Sequence, residues 1–274
     1  MSSATDQIAR AFVEARQSGN PLGEYPGTPP RDLASAYAIQ DRALTIWKRP
    51  VGGWKVGKIS PPRSEELAAN RLAGPVFADT VRHESDGIDF PIFAGGFAAV
   101  EAEFMLRLAI GDAPLPTTPA EAVSWVDEVR IGLEIASSPY ARINADGPCV
   151  TVSDHGNNAG ILLGRTVPRE HWERLDEIEV TLSIDNAEVG RATTATMLDG
   201  PFGAVCFLLE NFAQRGITPV SGWWVSSGAI TGVHEIKPGQ NSSATFKDIG
   251  QIAASIKSTK MFDARLNPSV VRPR

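Results

Sequence analysis

The chain has 274 residues, of which 42% are hydrophobic and 21% are charged, a composition typical of a globular protein. A chain of this length buries roughly three quarters of its unfolded surface, so it needs neither disulfides nor a metal merely to fold. Its formal charge is −6 and it has no basic block, which argues against nucleic acid or an anionic membrane as a partner.

The sequence also indicates where the protein is located and the redox state of its cysteines. The apolar runs are short and broken by charge, so no membrane span is expected. The polar first residues argue against a signal peptide. Cys149 and Cys206 lie far apart and outside any CxxC pattern. Together these features predict a cytoplasmic protein with reduced thiols.

Two helices are predicted within the first 50 residues. Ile8, Phe12 and Val13 recur at the spacing of one helix face. The second helix follows Asp32, a favourable N-cap residue, and carries an apolar stripe that ends at Trp47.

After residue 50 the pattern changes to short runs typical of β-strands. These runs cover residues 53–59, 75–81, 98–110, 129–136, 159–164, 178–193, 223–230 and 243–256. Two helices interrupt them, at residues 119–126 and 201–215, and Pro201 suits the first turn of the second. A hairpin is predicted to turn at Asp185 and Asn186, because apolar and polar residues alternate before them.

The class predicted from this order is α+β, with a β-rich core. Strands outnumber helices after residue 50, and the regular βαβ alternation of a doubly wound sheet is missing. We expect residues 1–50 to form a helical N-terminal subdomain or lid, and residues 51–274 to form a β-rich catalytic domain.

Three glutamates lie on the faces opposite the apolar residues of two predicted strands. On a strand, Glu101 and Glu103 point to the same side, with their β-carbons roughly 6–7 Å apart. Glu134 likewise faces away from the apolar residues beside it in the run 130–136. Three carboxylates on adjoining strands predict an all-oxygen site suited to Mg²⁺ or Mn²⁺ rather than Zn²⁺. The alternative is that these glutamates form the solvent-exposed face of an amphipathic sheet.

Several short motifs occur in a characteristic order between Ala36 and Phe246. They are Trp54-Lys-Val-Gly57, Gly74-Pro-Val-Phe-Ala-Asp79, Glu101-Ala-Glu103, Leu133-Glu-Ile135, residues 154–164, Gly200-Pro201 and Ser226-Ser-Gly-Ala-Ile-Thr-Gly232. In order and spacing the chain resembles the 2-keto-4-pentenoate hydratase family. That family also holds the 4-oxalocrotonate decarboxylases and belongs to the fumarylacetoacetate hydrolase superfamily.

The resemblance implies a fold, an assembly and a metal. The fold would be a mixed β-roll or sandwich core with peripheral helices, and the protein would assemble as a homo-oligomer. The cofactor would be Mg²⁺ or Mn²⁺, bound by Glu101, Glu103 and Glu134.

Two further residues are implied as catalytic by position in the family motifs. Lys55 would hold the substrate carboxylate or move a proton, and Asp79 would orient Lys55 or a water. From the residues alone, Lys58 is a rival for the role of Lys55, and Asp79 is equally suited to a turn.

The implied substrate is a small 2-oxo or 2-hydroxydienoic acid. A hydratase would add water to a 2-hydroxy-2,4-dienoate, giving a 4-hydroxy-2-oxo acid. A decarboxylase of a 4-oxalocrotonate-like diacid would use the same groups. A C–C hydrolase is disfavoured because such enzymes use a histidine from an N-terminal lid, and the first histidine here is His83. Retention of all three glutamates together with Lys55 also disfavours a non-catalytic binding protein.

Three segments depart from the family pattern and leave the exact substrate open. Asp154-His-Gly-Asn157 replaces a common D-N-A-S sequence, residues 136–142 are longer than usual, and Thr231-Gly-Val-His234 replaces a G-P-M-type stretch. We interpret His155 as a hydrogen-bonded structural histidine, with an acid or base role as the alternative.

Overall fold

The computed structural model describes residues 3–112 and 114–259. Its helices are α1 (Ala4–Ser18), α2 (Leu33–Trp47), α3 (Arg63–Glu66), α4 (Pro119–Ala122), α5 (Pro148–Ser153) and α6 (Gly200–Arg215). Its strands are β1 (Val51–Lys58), β2 (Arg71–Phe77), β3 (Val81–His83), β4 (Asp89–Phe93), β5 (Phe97–Leu108), β6 (Val126–Ser138), β7 (Asn158–Thr166), β8 (Val180–Ile184), β9 (Ala187–Ala192), β10 (Trp224–Ser226), β11 (His234–Glu235), β12 (Asn241–Phe246) and β13 (Gly250–Thr259).

The larger sheet is mixed and curled. Its strand order is β2-β1-β10-β5-β6-β7-β3, and β11 adds to β5. β1 pairs with β10, and β3 with β7, in parallel, whereas β5 pairs with β10 and β6 in the antiparallel sense. The curl brings β2 against β7. The concave side therefore holds its own small apolar cluster, made of Val76, Met105, Ile161, Leu163 and Trp224.

The smaller sheet covers the other face of β5 and β6. Its strand order is β4-β13-β12-β8-β9. Alternation along β5 directs Val100, Phe104 and Leu106 into the main core, where the Phe104 ring lies 5.3 Å from that of Phe246. The same alternation leaves the glutamates of β5 on the concave side of the curled sheet. The α+β class, with helices around two sheets, is confirmed.

Most predicted elements are present with small shifts. Asp32 caps α2 by accepting from the Ser35 amide, and Gly216 ends α6 in the left-handed conformation. The β8–β9 hairpin turns at Asp185 and Asn186, both with positive φ, as a two-residue turn requires.

The predicted bounds of four elements were wrong. β2 starts four residues earlier than expected, because it is an edge strand that tolerates Pro75. The run 223–230 is a strand only up to Ser226, since Gly228 adopts a positive φ. The run 243–256 is two strands joined by a turn at Asp248. The helix 119–126 is one α-turn followed by a 3-10 turn.

The N-terminal helices pack on each other and on the main body. Phe12 of α1 and Ile39 of α2 share an apolar cluster with Tyr140, Ile143 and Val150. The division at residue 50 into a lid or subdomain and a catalytic domain stays a prediction. Within the described ranges, every helix is too short or too polar to cross a membrane.

Candidate metal centre

Three glutamates converge on the concave side of the curled sheet. The β5–β6 register places Glu101 directly opposite Glu134, and Glu103 lies two residues further along β5. One carboxylate oxygen from each residue lies within 4.8 Å of one from each of the others. Glu101 is 5% exposed, and Glu103 and Glu134 are fully buried. The solvent-exposed interpretation of these glutamates was therefore wrong.

Neighbouring donors hold two of the carboxylates in place. Glu103 Oε2 accepts hydrogen bonds from Ser226 Oγ at 2.5 Å and from the Gly228 amide at 2.9 Å. Glu134 Oε1 accepts one from Asn158 Nδ2 at 2.9 Å. The second oxygens, Glu103 Oε1 and Glu134 Oε2, are buried and accept no hydrogen bond from any described residue.

These unpaired oxygens test whether a metal fits the group. A buried carboxylate oxygen without a partner is costly, and native proteins seldom leave one. Carboxylates set close together repel each other unless a proton or cation lies between them. A hard divalent cation takes such oxygen ligands, so the three residues fit Mg²⁺ or Mn²⁺.

Lys55 is the basic member of the group. It is buried on β1, with Nζ 3.5 Å from Glu134 Oε1. Burial by itself lowers the pKa of Lys55, but Glu134, Glu101 and Glu103 outweigh burial and raise that pKa above its ordinary value. Lys55 is therefore an ammonium ion, and one positive charge faces three carboxylates.

The pKa values of two of the carboxylates are raised. Burial raises the pKa of Glu101 to about 7, although Lys55 acts in the opposite direction. Burial, followed by the charges of Glu134 and Glu101, raises the pKa of Glu103 well above its usual range. When all three carboxylates are ionised, Lys55 balances only one of their charges, whereas a divalent cation would balance the other two.

A cleft of about 530 Å³ opens beside the glutamates. Lys55, Glu101, Asn144 and Asn157 are among the residues that line it. Lys58, the rival to Lys55, is exposed and also lines the cleft, but the charge contacts with the glutamates belong to Lys55. The cleft is therefore a binding site of small-molecule size next to the acidic group.

Asp79 lies away from this group. It is on the 3-10 turn Ala78–Thr80, where its side chain is 49% exposed and forms an ion pair of 2.7 Å with Arg49. Its side-chain hydrogen bonds are with Arg49, and not with Lys55 or any of the three glutamates. A role for Asp79 in orienting Lys55 is not supported by these contacts.

The structure also shows the contacts of three residues whose roles the sequence left undecided. His155 is buried, its Nδ1 lies 3.4 Å from Asp154 Oδ1, and burial lowers its pKa, which favours the structural interpretation. Asn157 donates to Asn144 at 2.8 Å on the cleft wall. His234 Nε2 lies 2.9 Å from a backbone carbonyl of the preceding loop.

The residues that hold the glutamates were missed from the sequence. Asn158, Ser226 and Gly228 fall within motifs that carried the resemblance, yet they received no role. A single polar residue inside an apolar run has no periodicity that reveals its partner. The only available signal was their place in those motifs.

Known proteins resemble this chain over nearly its whole length. A 2-keto-4-pentenoate hydratase of Paraburkholderia xenovorans (strain LB400) is 26% identical over 262 residues, covering 93% of this chain and 96% of that protein. A 4-oxalocrotonate decarboxylase of a Pseudomonas species is 23% identical over 258 residues, covering 91% and 96%. The predicted resemblance is confirmed. No protein-family model matches the chain.

Solved structures show that the fold is fumarylacetoacetate hydrolase-like. The 4-oxalocrotonate decarboxylase from Pseudomonas putida G7, complexed with magnesium and adipate, superposes with a TM-score of 0.76 at 19% identity, covering 92% of this chain and 97% of that one. A fumarylpyruvate hydrolase from Pseudomonas aeruginosa, in complex with Mn²⁺ and pyruvate, has a TM-score of 0.52 at 14% identity, covering 75% and 89%.

Proposed function

We propose that this protein is a divalent-metal-dependent hydratase of a 2-hydroxy-2,4-dienoate. The observation that carries the proposal is the buried trio Glu101, Glu103 and Glu134, with two unpaired oxygens, beside an open cleft. Curated relatives named as hydratases support the reaction class. Structures of similar fold that hold magnesium, calcium or manganese support the cofactor.

The three glutamates would hold Mg²⁺ or Mn²⁺. When bound, the ion would supply Lewis-acid stabilisation of the negative charge that develops on the substrate 2-oxygen, an effect worth several kcal/mol. Ser226, Gly228 and Asn158 keep the carboxylates oriented through their hydrogen bonds. Such neighbouring donors fix ligand geometry before the ion or the substrate arrives.

Lys55 would bind and orient the acid. Lys55 is buried and lines the cleft, where its ammonium group can donate to the substrate carboxylate. Because its pKa is raised, it acts as a hydrogen-bond donor or proton donor rather than as a resting base. In the proposed reaction the dienol ketonises, and water then adds to the conjugated double bond to give a 4-hydroxy-2-oxo acid.

A decarboxylase is the second candidate function. The relatives named as 4-oxalocrotonate decarboxylases favour it. The same residues would stabilise the electron pair left on the substrate when the bond to CO₂ breaks. Released CO₂ identifies this reaction, whereas a hydrated product identifies the hydratase.

A spectrophotometric screen of 2-hydroxydienoic acids and 4-oxalocrotonate, with Mg²⁺ and Mn²⁺, tests the proposal. We expect consumption of a dienoate that stops in EDTA. We expect Glu103→Gln to lower kcat/KM by about 1000-fold or more, equivalent to about 4 kcal/mol, with an unchanged circular dichroism spectrum.

The matched control is Glu128→Gln. Glu128 lies on the same strand as Glu134 but pairs with Arg107 and Arg130, so we expect activity within a few-fold of the wild type. Full activity of Glu103→Gln would refute the metal assignment. Failure of the wild type to convert any of these acids with either metal would refute the reaction class.

A further inference from the structure

Asn157 lies on the wall of the cleft with one polar atom unpaired. It is only 2% exposed, and it lines the same cleft as Lys55 and Glu101. Asn157 Nδ2 donates to Asn144 Oδ1 at 2.8 Å, whereas Asn157 Oδ1 is buried and accepts no hydrogen bond from any described residue. A buried amide oxygen without a donor is costly, so this atom indicates a ligand that donates a hydrogen bond.

The residues on either side of Asn157 place it next to the metal centre. A β-carbon on Gly156 would lie 3.1 Å from Lys55 Cδ, so the backbone before Asn157 packs on the Lys55 side chain. The following residue, Asn158, donates to Glu134 Oε1, which lies 3.5 Å from Lys55 Nζ. Asn157 therefore lies between two contacts with the groups that would hold the metal and the acid.

The backbone around Asn157 adopts an unusual conformation. His155, Gly156 and Asn157 have φ values of +56°, +64° and +56°, and only one of them is glycine. Positive φ values carry a cost for other residues, and such residues cluster at functional sites. The Asn157 amide donates to the Asp154 carbonyl oxygen at 2.8 Å and thereby holds the turn. The fold thus maintains a strained turn that keeps Asn157 at the cleft.

The chemistry of the proposed substrate identifies the donor, so this step rests on the proposed function. The carboxylate and the keto oxygen of a 2-oxo acid are hydrogen-bond acceptors, and Lys55 and the metal would bind them. The donors that remain in a hydratase are the attacking water and the 4-hydroxyl group that it becomes. The neutral amide oxygen of Asn157 can accept from either of them.

We propose that Asn157 Oδ1 binds the attacking water and, after the addition, the 4-hydroxyl group of the product. In the addition, the C4–O and C3–H bonds form while one O–H bond of the water and the π bond between C3 and C4 break. Asn157 positions the water for this step and selects acids that carry a hydroxyl group at C4. A decarboxylase needs no such acceptor, because the departure of CO₂ involves no attacking water.

Binding of two acids that differ by one hydroxyl group tests this inference. With Mg²⁺, calorimetry should show that the wild type binds 4-hydroxy-2-oxopentanoate about fivefold or more tightly than 2-oxopentanoate. Asn157→Gly should abolish that preference and leave the affinity for 2-oxopentanoate within about threefold. Glycine is the suitable replacement because it adopts a positive φ without strain. The control Asn20→Gly, at an exposed residue outside the cleft, should keep the preference.

The reaction gives a second readout, which a purely structural role of Asn157 would not produce. With 2-hydroxypenta-2,4-dienoate, Asn157→Gly should still ketonise the dienol. Hydration should fall by about 100-fold or more, because the water is no longer positioned, so that 2-oxopent-3-enoate accumulates. Asn157→Asp keeps an acceptor oxygen and tolerates a positive φ, so it should retain the preference for the hydroxy acid.

The outcomes separate this inference from the proposed function. Equal affinity of the wild type for the two acids, or an unchanged preference in Asn157→Gly, would overturn the role of Asn157 and leave the metal-dependent function intact. Equal losses of ketonisation and hydration in Asn157→Gly would also overturn that role. Binding of neither acid by the wild type, or release of CO₂ without a hydrated product, would overturn the hydratase proposal and this inference together. If Asn157→Gly does not fold, Asn157→Ala decides by the same preference, since it too removes the acceptor.

Discussion

Two buried ionic clusters of this protein are built in opposite ways. In the first, Arg16 of α1 meets Asp154, with guanidinium–carboxylate distances of 2.5 and 3.0 Å. Arg16 also donates to the carbonyl oxygens of Ser137 and Asn158, and Ser138 donates to Asp154. One charge balances the other, and each has several partners.

The second cluster is unbalanced. Lys55 faces Glu101, Glu103 and Glu134, and two carboxylate oxygens have no partner among the described residues. The comparison teaches that burial alone does not identify a functional site. A balanced and fully hydrogen-bonded pair fastens elements together, whereas an unbalanced group with unpaired oxygens requires something from outside the chain.

The two clusters are also neighbours. Arg16 donates to the backbone oxygen of Asn158, and the Asn158 side chain donates to Glu134. The balanced cluster is thus connected through Asn158 to one glutamate of the unbalanced cluster. Changes in the two clusters should nevertheless have different, and in one case opposite, effects on stability.

The largest expected effect on stability comes from breaking the balanced pair. Arg16→Met leaves Asp154 buried without its cation, so the free energy of unfolding should fall by about 3–5 kcal/mol in urea titrations. Arg10→Met is the control on the same helix, because Arg10 is exposed and should contribute less than about 1 kcal/mol. Equal losses of unfolding free energy in the two variants would contradict the interpretation that Arg16 stabilises the fold through a buried ion pair.

Metal should stabilise the unbalanced cluster. With Mg²⁺ at a hundred times its dissociation constant, the free energy of unfolding should rise by about 2.7 kcal/mol, and EDTA should reverse the gain. Glu103→Gln should lose this response, whereas Glu128→Gln should keep it. A Mg²⁺-dependent rise of the same size in Glu103→Gln would place the ion elsewhere.

Acid should break the ion pair between Arg16 and Asp154 by protonating the carboxylate. Burial raises the pKa of Asp154, but Arg16 and the hydrogen bonds from His155 and Arg16 outweigh burial and lower it to about 2, from an ordinary 3.8. The folded protein therefore binds this proton less tightly than the unfolded chain does. The contribution, about 2–3 kcal/mol, is complete above about pH 4 and is lost as the pH falls towards 2.

The stability difference between the wild type and Asp154→Asn measures this contribution. It should shrink between pH 4 and pH 2. The exposed control Asp127→Asn should differ from the wild type by less than about 1 kcal/mol throughout. A difference for Asp154→Asn that does not change with pH would contradict the ion-pair interpretation.

The smallest expected effect has the opposite sign. In EDTA at pH 8, Glu103→Gln should raise the free energy of unfolding by about 1 kcal/mol, because it removes repulsion by Glu101 and Glu134. The glutamine oxygen can still accept from Ser226 and Gly228. A loss of stability in this variant would mean that repulsion among the glutamates does not destabilise the metal-free protein.

Much of the candidate site was predictable from strand alternation. Alternation assigned Glu101 and Glu103 to one face of β5 and set Glu134 apart from the apolar residues beside it. Alternation did not reveal that Glu101 lies opposite Glu134, because register depends on how two distant strands pair. It also did not reveal that this face is buried, because burial follows from the curl of the whole sheet.

The position of Asp79 was beyond sequence reasoning for a related reason. It follows β2, but the direction of a turn is set by tertiary contacts, here with Arg49. Gly74 of the same motif has a clearer physical basis. A β-carbon there would lie 2.3 Å from the His155 carbonyl oxygen, so β2 and the segment after α5 pack closely only with glycine.

The pairing of Glu101 with Glu134 also bears on how the chain avoids misfolding. A slip of one residue in β5 relative to its neighbours would turn Glu101 and Glu103 into the apolar layer between the sheets, where ionised groups are strongly disfavoured. The acidic residues therefore exclude the nearest wrong alignment of the two longest antiparallel strands. Glu101 and Glu103 thereby also favour the native strand register during folding.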